Sequence, residues 1–216
     1  MTTLAILGAG AGLGLATARK FGEAGFDVGL VARRQEKLDG LTRELAGEGV
    51  TAIGVAADVR DPVATAAALG RIAEGLGPVD VLVFSPLPSL DWIKPVTETS
   101  PEDVRASLEL GVVGAVGAVN TVLPGMRRRG HGTVLFTTGG GAIAPKAALA
   151  SSGITYAAEV AYARMLHETV AADGVHVAHT AIVGALGAGL KHEPSKVAGV
   201  LWRQHQDRDA FQTIVD

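Results

Sequence analysis

Leu4-Ala5-Ile6-Leu7 runs directly into Gly8-Ala9-Gly10-Ala11-Gly12-Leu13-Gly14, and Ala16-Thr17-Ala18-Arg19-Lys20-Phe21 comes after it. The apolar run reads as a buried strand, the glycine cluster as a sharp turn, and the last segment as a helix. A chain that turns this sharply out of a strand aims the free amides of the helix N-terminus at whatever lies above the strand. That is an anion site, and glycine suits it by allowing positive φ and close backbone approach. The spacing separates two versions of the motif. G-x-G-x-x-G needs glycine at position 13, where Leu13 stands, whereas G-x-x-x-G-x-G is met by Gly8, Gly12 and Gly14. Between a strand and a helix this pattern predicts a pyrophosphate cradle formed by Gly8, Gly10, Ala11, Gly12, Leu13 and Gly14. The plainer reading is a tight turn and nothing more.

Working outward, strand-like and helix-like segments alternate almost to the end. Strands are predicted near 3–8, 27–32, 51–56, 79–84, 132–138, 175–182 and 211–215, and helices near 12–25, 34–47, 61–76, 101–129, 152–173 and 194–206. Asp61-Pro62, Ser100-Pro101 and Glu193-Pro194 place proline in a first helical turn. This alternation predicts an α/β fold, a doubly wound Rossmann-type parallel sheet of about seven strands with helices on both faces. Residues 1–216 form a single domain in this reading, and any ligand crevice lies beyond the C-terminal ends of the strands. Gly111, Gly114 and Gly117 recur every third residue in the long fourth helix. They suit close approach of another helix, from the same chain or from a second subunit. No apolar stretch reads as long and uninterrupted enough to span a bilayer.

The bulk properties agree. A chain of 216 residues with 48% hydrophobic content can bury a substantial core. A formal charge of −3 gives no electrostatic case for nucleic acid or an anionic membrane. Arg127-Arg128-Arg129 reads as a solvated helix end beside Gly130. Cysteine is absent, which removes thiolate chemistry. The expected compartment is the cytoplasm, and no metal set is apparent. His176 and His179 lie three apart on a strand, on opposite faces, and cannot chelate together.

A site preferring NAD carries an acid at the end of the second strand to hold the ribose hydroxyls. Here the chain reads Val31-Ala32-Arg33-Arg34. Arg33 can pair with a 2′-phosphate, so NADP(H) is favoured over NAD(H). Arg34 reads as a surface residue opening a helix. Asp58 can accept from an adenine amino group beside Val59, or cap the helix that follows.

These residues, with Ala57-Asp58-Val59, Gly77-Pro78-Val79-Asp80-Val81-Leu82-Val83, Leu123-Pro124-Gly125-Met126 and Gly132-Thr133-Val134-Leu135-Phe136, resemble the short-chain dehydrogenase/reductase family over nearly the whole chain. The resemblance implies a tyrosine acid/base, a lysine that lowers its pKa and binds the nicotinamide ribose, a serine that orients the carbonyl, and an asparagine that holds a relay water. Carried over by spacing, the asparagine falls on Gly111, the serine on Gly139, the tyrosine on Ser152 and the lysine on Tyr156. The motif after the fourth strand becomes Phe84-Ser85-Pro86-Leu87, with Ser85 at a cofactor-binding position. Shifting the register does not help, because Tyr156 and Tyr162 are followed four residues on by Val160 and Leu166.

Ser152, Tyr156 and Thr138 remain as candidate hydroxyl donors, with Ser151, Lys94 and Lys146 as further substitutes. Tyr156 either fills the space over the ribose or acts as an alternative acid. Trp92 lines the substrate side or packs; Trp202 belongs to the core or to a subunit contact; Lys191 and His192, in a short lid loop, face solvent. The resemblance implies a homodimer or homotetramer through helices 101–129 and 152–173. The leading expectation is an NADP(H)-binding oxidoreductase with an altered active site, acting on a small carbonyl or alcohol. The alternative is a cofactor-binding protein without redox turnover, or a crevice used for another reaction.

Overall fold

The structure is a computed structural model that describes residues 2–216. Seven parallel strands form one sheet: β1 (Thr2–Leu7), β2 (Phe26–Ala32), β3 (Ala52–Ala56), β4 (Val79–Phe84), β5 (Gly132–Gly139), β6 (Val175–Ile182) and β7 (Gln212–Val215). They lie in the order β3-β2-β1-β4-β5-β6-β7. The order reverses between β1 and β4, and the loops leaving those two strands diverge to opposite sides. A crevice therefore opens at their C-terminal ends.

The helices are α1 (Leu13–Gly22), α2 (Gln35–Gly47), α3 (Pro62–Leu76), α4 (Pro101–Leu108), α5 (Gly114–Arg129), α6 (Ala150–Val170) and α7 (Pro194–Asp207). One core joins α3, α5 and α6 to one face of the sheet through Leu69, Ile72, Val119, Phe84 and Phe136. The other joins α1, α2 and α7 to the opposite face through Phe21, Leu38, Leu45, Ile6 and Leu201. Trp202 belongs to this second core, edge-on to Phe21 at 4.9 Å between ring centres. Cover on both faces explains why the strands read as continuous apolar runs rather than alternating ones.

Two expectations about the helices change. The helix expected over 101–129 is divided by a π turn at Glu109–Val113, centred on Gly111. Its three glycines do not make one stripe. A Cβ on Gly111 would meet Thr155 of α6, one on Gly114 would lie 2.7 Å from the Val59 carbonyl oxygen, and one on Gly117 would lie 3.1 Å from Pro62 Cβ of α3. A three-residue step turns short of a full helical turn, so successive glycines meet different neighbours. Taken together, Pro101–Arg129 is long and apolar enough to cross a membrane by length and composition, contrary to the sequence reading. In this fold Ala115, Ala118, Val119, Val122 and Met126 are buried against the sheet and α3.

The buried strand β6 carries polar side chains, and each needs a partner. Thr180 donates to Gln204 Oε1 at 2.7 Å, and Gln204 Nε2 donates to the His179 carbonyl and to Thr213 Oγ1. His179 lies 2.7 Å from Thr138 Oγ1 through Nε2, and its Nδ1 accepts from Gln212 Nε2 at 3.1 Å. That pairing fits the neutral ring and loses its Nδ1 acceptor on protonation. Burial, with Arg164 adding to it, pushes His179 down to about 4 from 6.5. Burial also pushes His176 down to about 4, helped by Arg208.

Stability carried by the neutral rings is complete above the unfolded value of 6.5 and is lost as pH falls from 6.5 toward 4, because the unfolded chain takes up protons first. Urea unfolding at pH 7 and pH 5 is expected to show a lower midpoint at pH 5. His179→Gln, which keeps one donor and one acceptor, reduces that dependence; a midpoint independent of pH over this window contradicts the assignment.

Candidate functional site

The site starts at the end of β1. The amides of Gly8 and Ala9 both donate to the Val31 carbonyl of β2, which bends the chain across the sheet edge. Gly8 takes φ +86°, and a Cβ there would lie 2.5 Å from Pro86 Cα and from the Ser85 carbonyl oxygen. Glycine is required at this position both by conformation and by space. Gly14 lets α1 sit on the turn, since a Cβ would lie 2.9 Å from Ala9 Cα. Gly10 and Gly12 meet nothing within 4 Å, so the mouth of the turn is open. Among the described residues the amides of Gly12, Leu13 and Gly14 donate to no carbonyl outside α1. Open space, free amides and a helix N-terminus together fit a pyrophosphate.

A cavity of about 710 Å³ extends from this turn across the ends of β2 and β3. Gly8, Gly10, Ala11, Arg33, Asp58 and Val59 line it as the sequence reading expects, joined by Arg34, Lys37, Arg60, Trp92 and Leu110. Gly12, Leu13 and Gly14 build the helix start behind that wall. Ser85 is used internally: its amide donates to the Leu7 carbonyl, and its hydroxyl accepts from Thr137 at 2.6 Å.

Electrostatics distinguish this end of the crevice. Asp58 accepts from Arg60 Nη2 at 2.6 Å as well as from its Nε and its amide. The Arg60 guanidinium holds the Asp58 carboxyl below its ordinary range, with Arg33 adding to the effect. Asp58 does not cap α3; Asp61 does, accepting from the amides of Val63 and Ala64. Glu44 is engaged by Arg19. Arg33, Arg34 and Lys37 therefore face the cavity with no carboxylate within 4 Å among the described residues. Sequence reading missed Arg60 and Lys37, although Lys37 lies four residues after Arg33, one turn along the start of α2. Arg60 also lies over the Trp92 ring at 5.6 Å. Trp92 thus lines the crevice.

The other end lies beyond β4 and β5. Tyr156 of α6 packs its ring across Gly139, where a Cβ would lie 3.2 Å from Tyr156 Cε2. A side chain at 139 would press on the Tyr156 ring. Burial first, and Glu159 second, push the Tyr156 hydroxyl up to about 12. Ser152, one turn earlier, is buried, and its Oγ has no hydrogen-bond partner. Thr138 is not available to the crevice, because its hydroxyl is buried against His179; this corrects its candidacy.

Other substitutes are also engaged elsewhere. Ser151 donates to the Trp92 carbonyl, and Lys94 is bound to Asp103 inside the capping box that starts α4. His192 is buried with Nε2 at 2.9 Å from the Val183 carbonyl, which corrects its solvent-facing reading, whereas Lys191 is exposed as expected and pairs at the surface with Asp216. The residue that sequence reading missed here is Glu159, a fully buried carboxyl on the same face of α6 as Ser152 and Tyr156. Its signal was a lone acid in the otherwise uncharged stretch Ile154-Thr155-Tyr156-Ala157-Ala158-Glu159-Val160-Ala161.

The fit of Tyr156 over Gly139 predicts coupling. Gly139→Ser is expected to cost roughly 1–3 kcal/mol by overpacking, and the cost falls when Tyr156→Ala is combined with it. A double-mutant cycle by urea unfolding measures this; additive effects contradict the packing.

Comparison with known proteins fits this geometry. The model of the short chain dehydrogenase family matches residues 2–193. An uncharacterized oxidoreductase of Mycobacterium tuberculosis is 31% identical over 186 residues, covering 80% of this chain and 53% of that protein. A probable NADP-dependent dehydrogenase of Haemophilus influenzae is 33% identical over 134 residues, covering 62% of this chain and 52% of that protein. The chain spans about half the length of these relatives. The L-sorbose reductase of Gluconobacter frateurii, solved with NADPH and L-sorbose, superimposes with a TM-score of 0.90 at 24% identity, over 100% of this chain and 95% of that one. An NADPH-bound short chain oxidoreductase of Pseudomonas aeruginosa with an atypical catalytic center gives 0.91 at 19% identity, over 99% and 95%. At such identities these structures speak for the fold, while the family match spans most of the chain: the protein belongs to the short-chain dehydrogenase family.

Proposed function

We propose that the chain binds NADP(H) along this crevice and is an oxidoreductase with a rebuilt acid/base set, acting on a small carbonyl or alcohol. The observation that carries the reading is the cluster of Arg33, Arg34 and Lys37 at the end of β2, without a neutralising carboxylate and with no acid at the β2 terminus. A 2′-phosphate supplies the missing anion. The relative of Haemophilus influenzae named for NADP supports the same choice.

Each part of the chain then has a task. The amides at the start of α1 hold the pyrophosphate. Arg33 forks onto the 2′-phosphate, with Arg34 and Lys37 adding charge. Asp58 and Val59 edge the adenine, and Asp58 shares its carboxylate between that ring and Arg60. The adenosine end lies over β2 and β3, so the dinucleotide's other half runs over β4 and β5, toward Gly139 and Tyr156. When bound, the nicotinamide supplies hydride exchange.

Proton handling in this reading differs from the family's usual arrangement. Tyr156 at about 12 keeps its proton at neutral pH and serves as a hydrogen-bond donor rather than a ready acid. A positioned acid/base is worth roughly 10²–10⁴-fold, so turnover by proximity alone is slow. The buried, unpartnered Ser152 hydroxyl favours a second reading, in which the cofactor is held without redox turnover. Val113, Ile154 and Met165 stand exposed on the long helices and suit a self-association surface.

Two measurements test these readings. Titration of NADPH by its fluorescence is expected to saturate, and Arg33→Ala to weaken it about tenfold or more while changing NADH binding little. Equal losses for both cofactors contradict the 2′-phosphate assignment. Single-turnover oxidation of bound NADPH against a panel of small aldehydes and ketones is expected to exceed the blank slowly, with Tyr156→Phe lowering it further. A rate at the blank for every substrate favours the non-redox reading, and a rate unmoved by Tyr156→Phe removes that hydroxyl from proton transfer.

A further inference from the structure

Glu159 is a buried acid with one oxygen left unpaired. It is 2% exposed, and its Oε1 makes no hydrogen bond among the described residues. Its Oε2 lies 3.2 Å from the position a Cβ on Gly111 would take, so the missing side chain at 111 makes the room this carboxyl occupies. The floor of that space is the π turn, and its wall is α6, where Thr155 donates its hydroxyl proton to Ser107 Oγ at 2.7 Å and has none to give a carboxylate.

The charged and titratable groups around it are few. On its own helix they are Tyr156, three residues before it, and Tyr162, three after; burial pushes both up to about 12. On the π turn the nearest acid, Glu109, acts on Arg60 at the other end of the crevice. Lys94, in the loop that reaches α4, is committed to Asp103. No cation faces Glu159, and burial alone holds its carboxyl well above the ordinary range. A carboxyl in such a place stays protonated until a positive charge arrives nearby.

We propose that Glu159 senses the redox state of the bound cofactor: it releases its proton when the oxidised, cationic nicotinamide occupies the crevice and keeps it when the reduced, neutral ring does. The inference rests on the proposed binding of NADP(H), which puts the nicotinamide half over β5 beside Tyr156, the neighbour of Glu159 on α6. The proton goes to solvent on binding and returns on reduction of the ring or its departure. The oxidised and reduced cofactors then differ in affinity by an amount set by pH. Titration of the 2′-phosphate and of groups at the adenosine end is common to both forms and cancels in their ratio.

The test is calorimetric binding of NADP⁺ and of NADPH, each in two buffers of different ionisation enthalpy. Wild type is expected to release up to about one proton more with NADP⁺ than with NADPH, and the affinity ratio to move toward NADP⁺ by up to about tenfold per pH unit. Glu159→Gln abolishes both effects while still binding both cofactors. Equal proton counts for the two cofactors in wild type, or a difference that survives in Glu159→Gln, overturns the inference while leaving cofactor binding intact. Failure of either cofactor to bind overturns the dinucleotide reading and this one with it. Infrared difference spectra of wild type supply the readout if the variant fails to fold: NADP⁺, and not NADPH, is expected to bleach a protonated carboxyl band, and an unchanged band overturns the proposal.

Discussion

Everything in the crevice depends on how closely two loops part at the sheet's reversal point. β1 and β4 are neighbours, and the chain leaving β1 must pass the chain leaving β4 with the Gly8 α-carbon against Ser85 and Pro86. Any side chain at Gly8 meets backbone there, and backbone cannot swing aside as a flexible side chain can. This contact lifts Gly8 and Ala9 onto Val31, leaves Gly10 and Ala11 lining the open cavity, and starts α1 directly behind them. The position of the basic cluster follows, because the Ala32–Arg34 segment leaves β2 directly beside the strand that makes the turn.

The second half of the site shows paired packing. Gly139 and Gly111 each leave out a side chain, and each vacancy is filled from α6: Tyr156 over Gly139, Thr155 and Glu159 over Gly111. A glycine lost or gained alone in a packed region leaves a cavity or a clash, each costing a few kcal/mol. The five positions therefore hold together as two complementary contacts. They seat an aromatic ring over Gly139 and a buried acid beside Gly111, so that neither glycine leaves its site empty.

Much of this was legible in the sequence. The period of apolar runs marks all seven strands, and the prolines at 62, 101 and 194 each open a helix as read. The glycine spacing and Arg33 locate the basic end of the crevice because their meaning is local: a turn, an N-terminus and a charge at a strand end. What stayed hidden depends on partners distant in sequence. The π turn at Gly111 has only a glycine as its local signal, which Gly114 and Gly117 share without a break, and Gly111 lies against Thr155 and Glu159 of α6. Thr138 looked like a hydroxyl at a strand end, but its face of β5 points under α6 to His179, and that pairing comes from β6. Glu159 offered only a lone acid on an apolar helix, and its burial is decided by the space at Gly111.

The two ends of the crevice thereby differ in charge. Three cations without carboxylate partners stand over β2, whereas the β5 side offers a neutral tyrosine, a sealed serine and a protonated acid, with Lys94 withdrawn to Asp103. A ligand anionic at one end and able to carry positive charge at the other matches this gradient better than one anionic throughout. Field lines from the basic end weaken with distance through solvent-filled space, while the buried acid is little screened. The basic end can therefore govern how tightly a nucleotide is held, and the buried end can govern which charge state of its far ring is tolerated. Binding strength and redox preference then become properties of different residues, separated by the turn at Gly8.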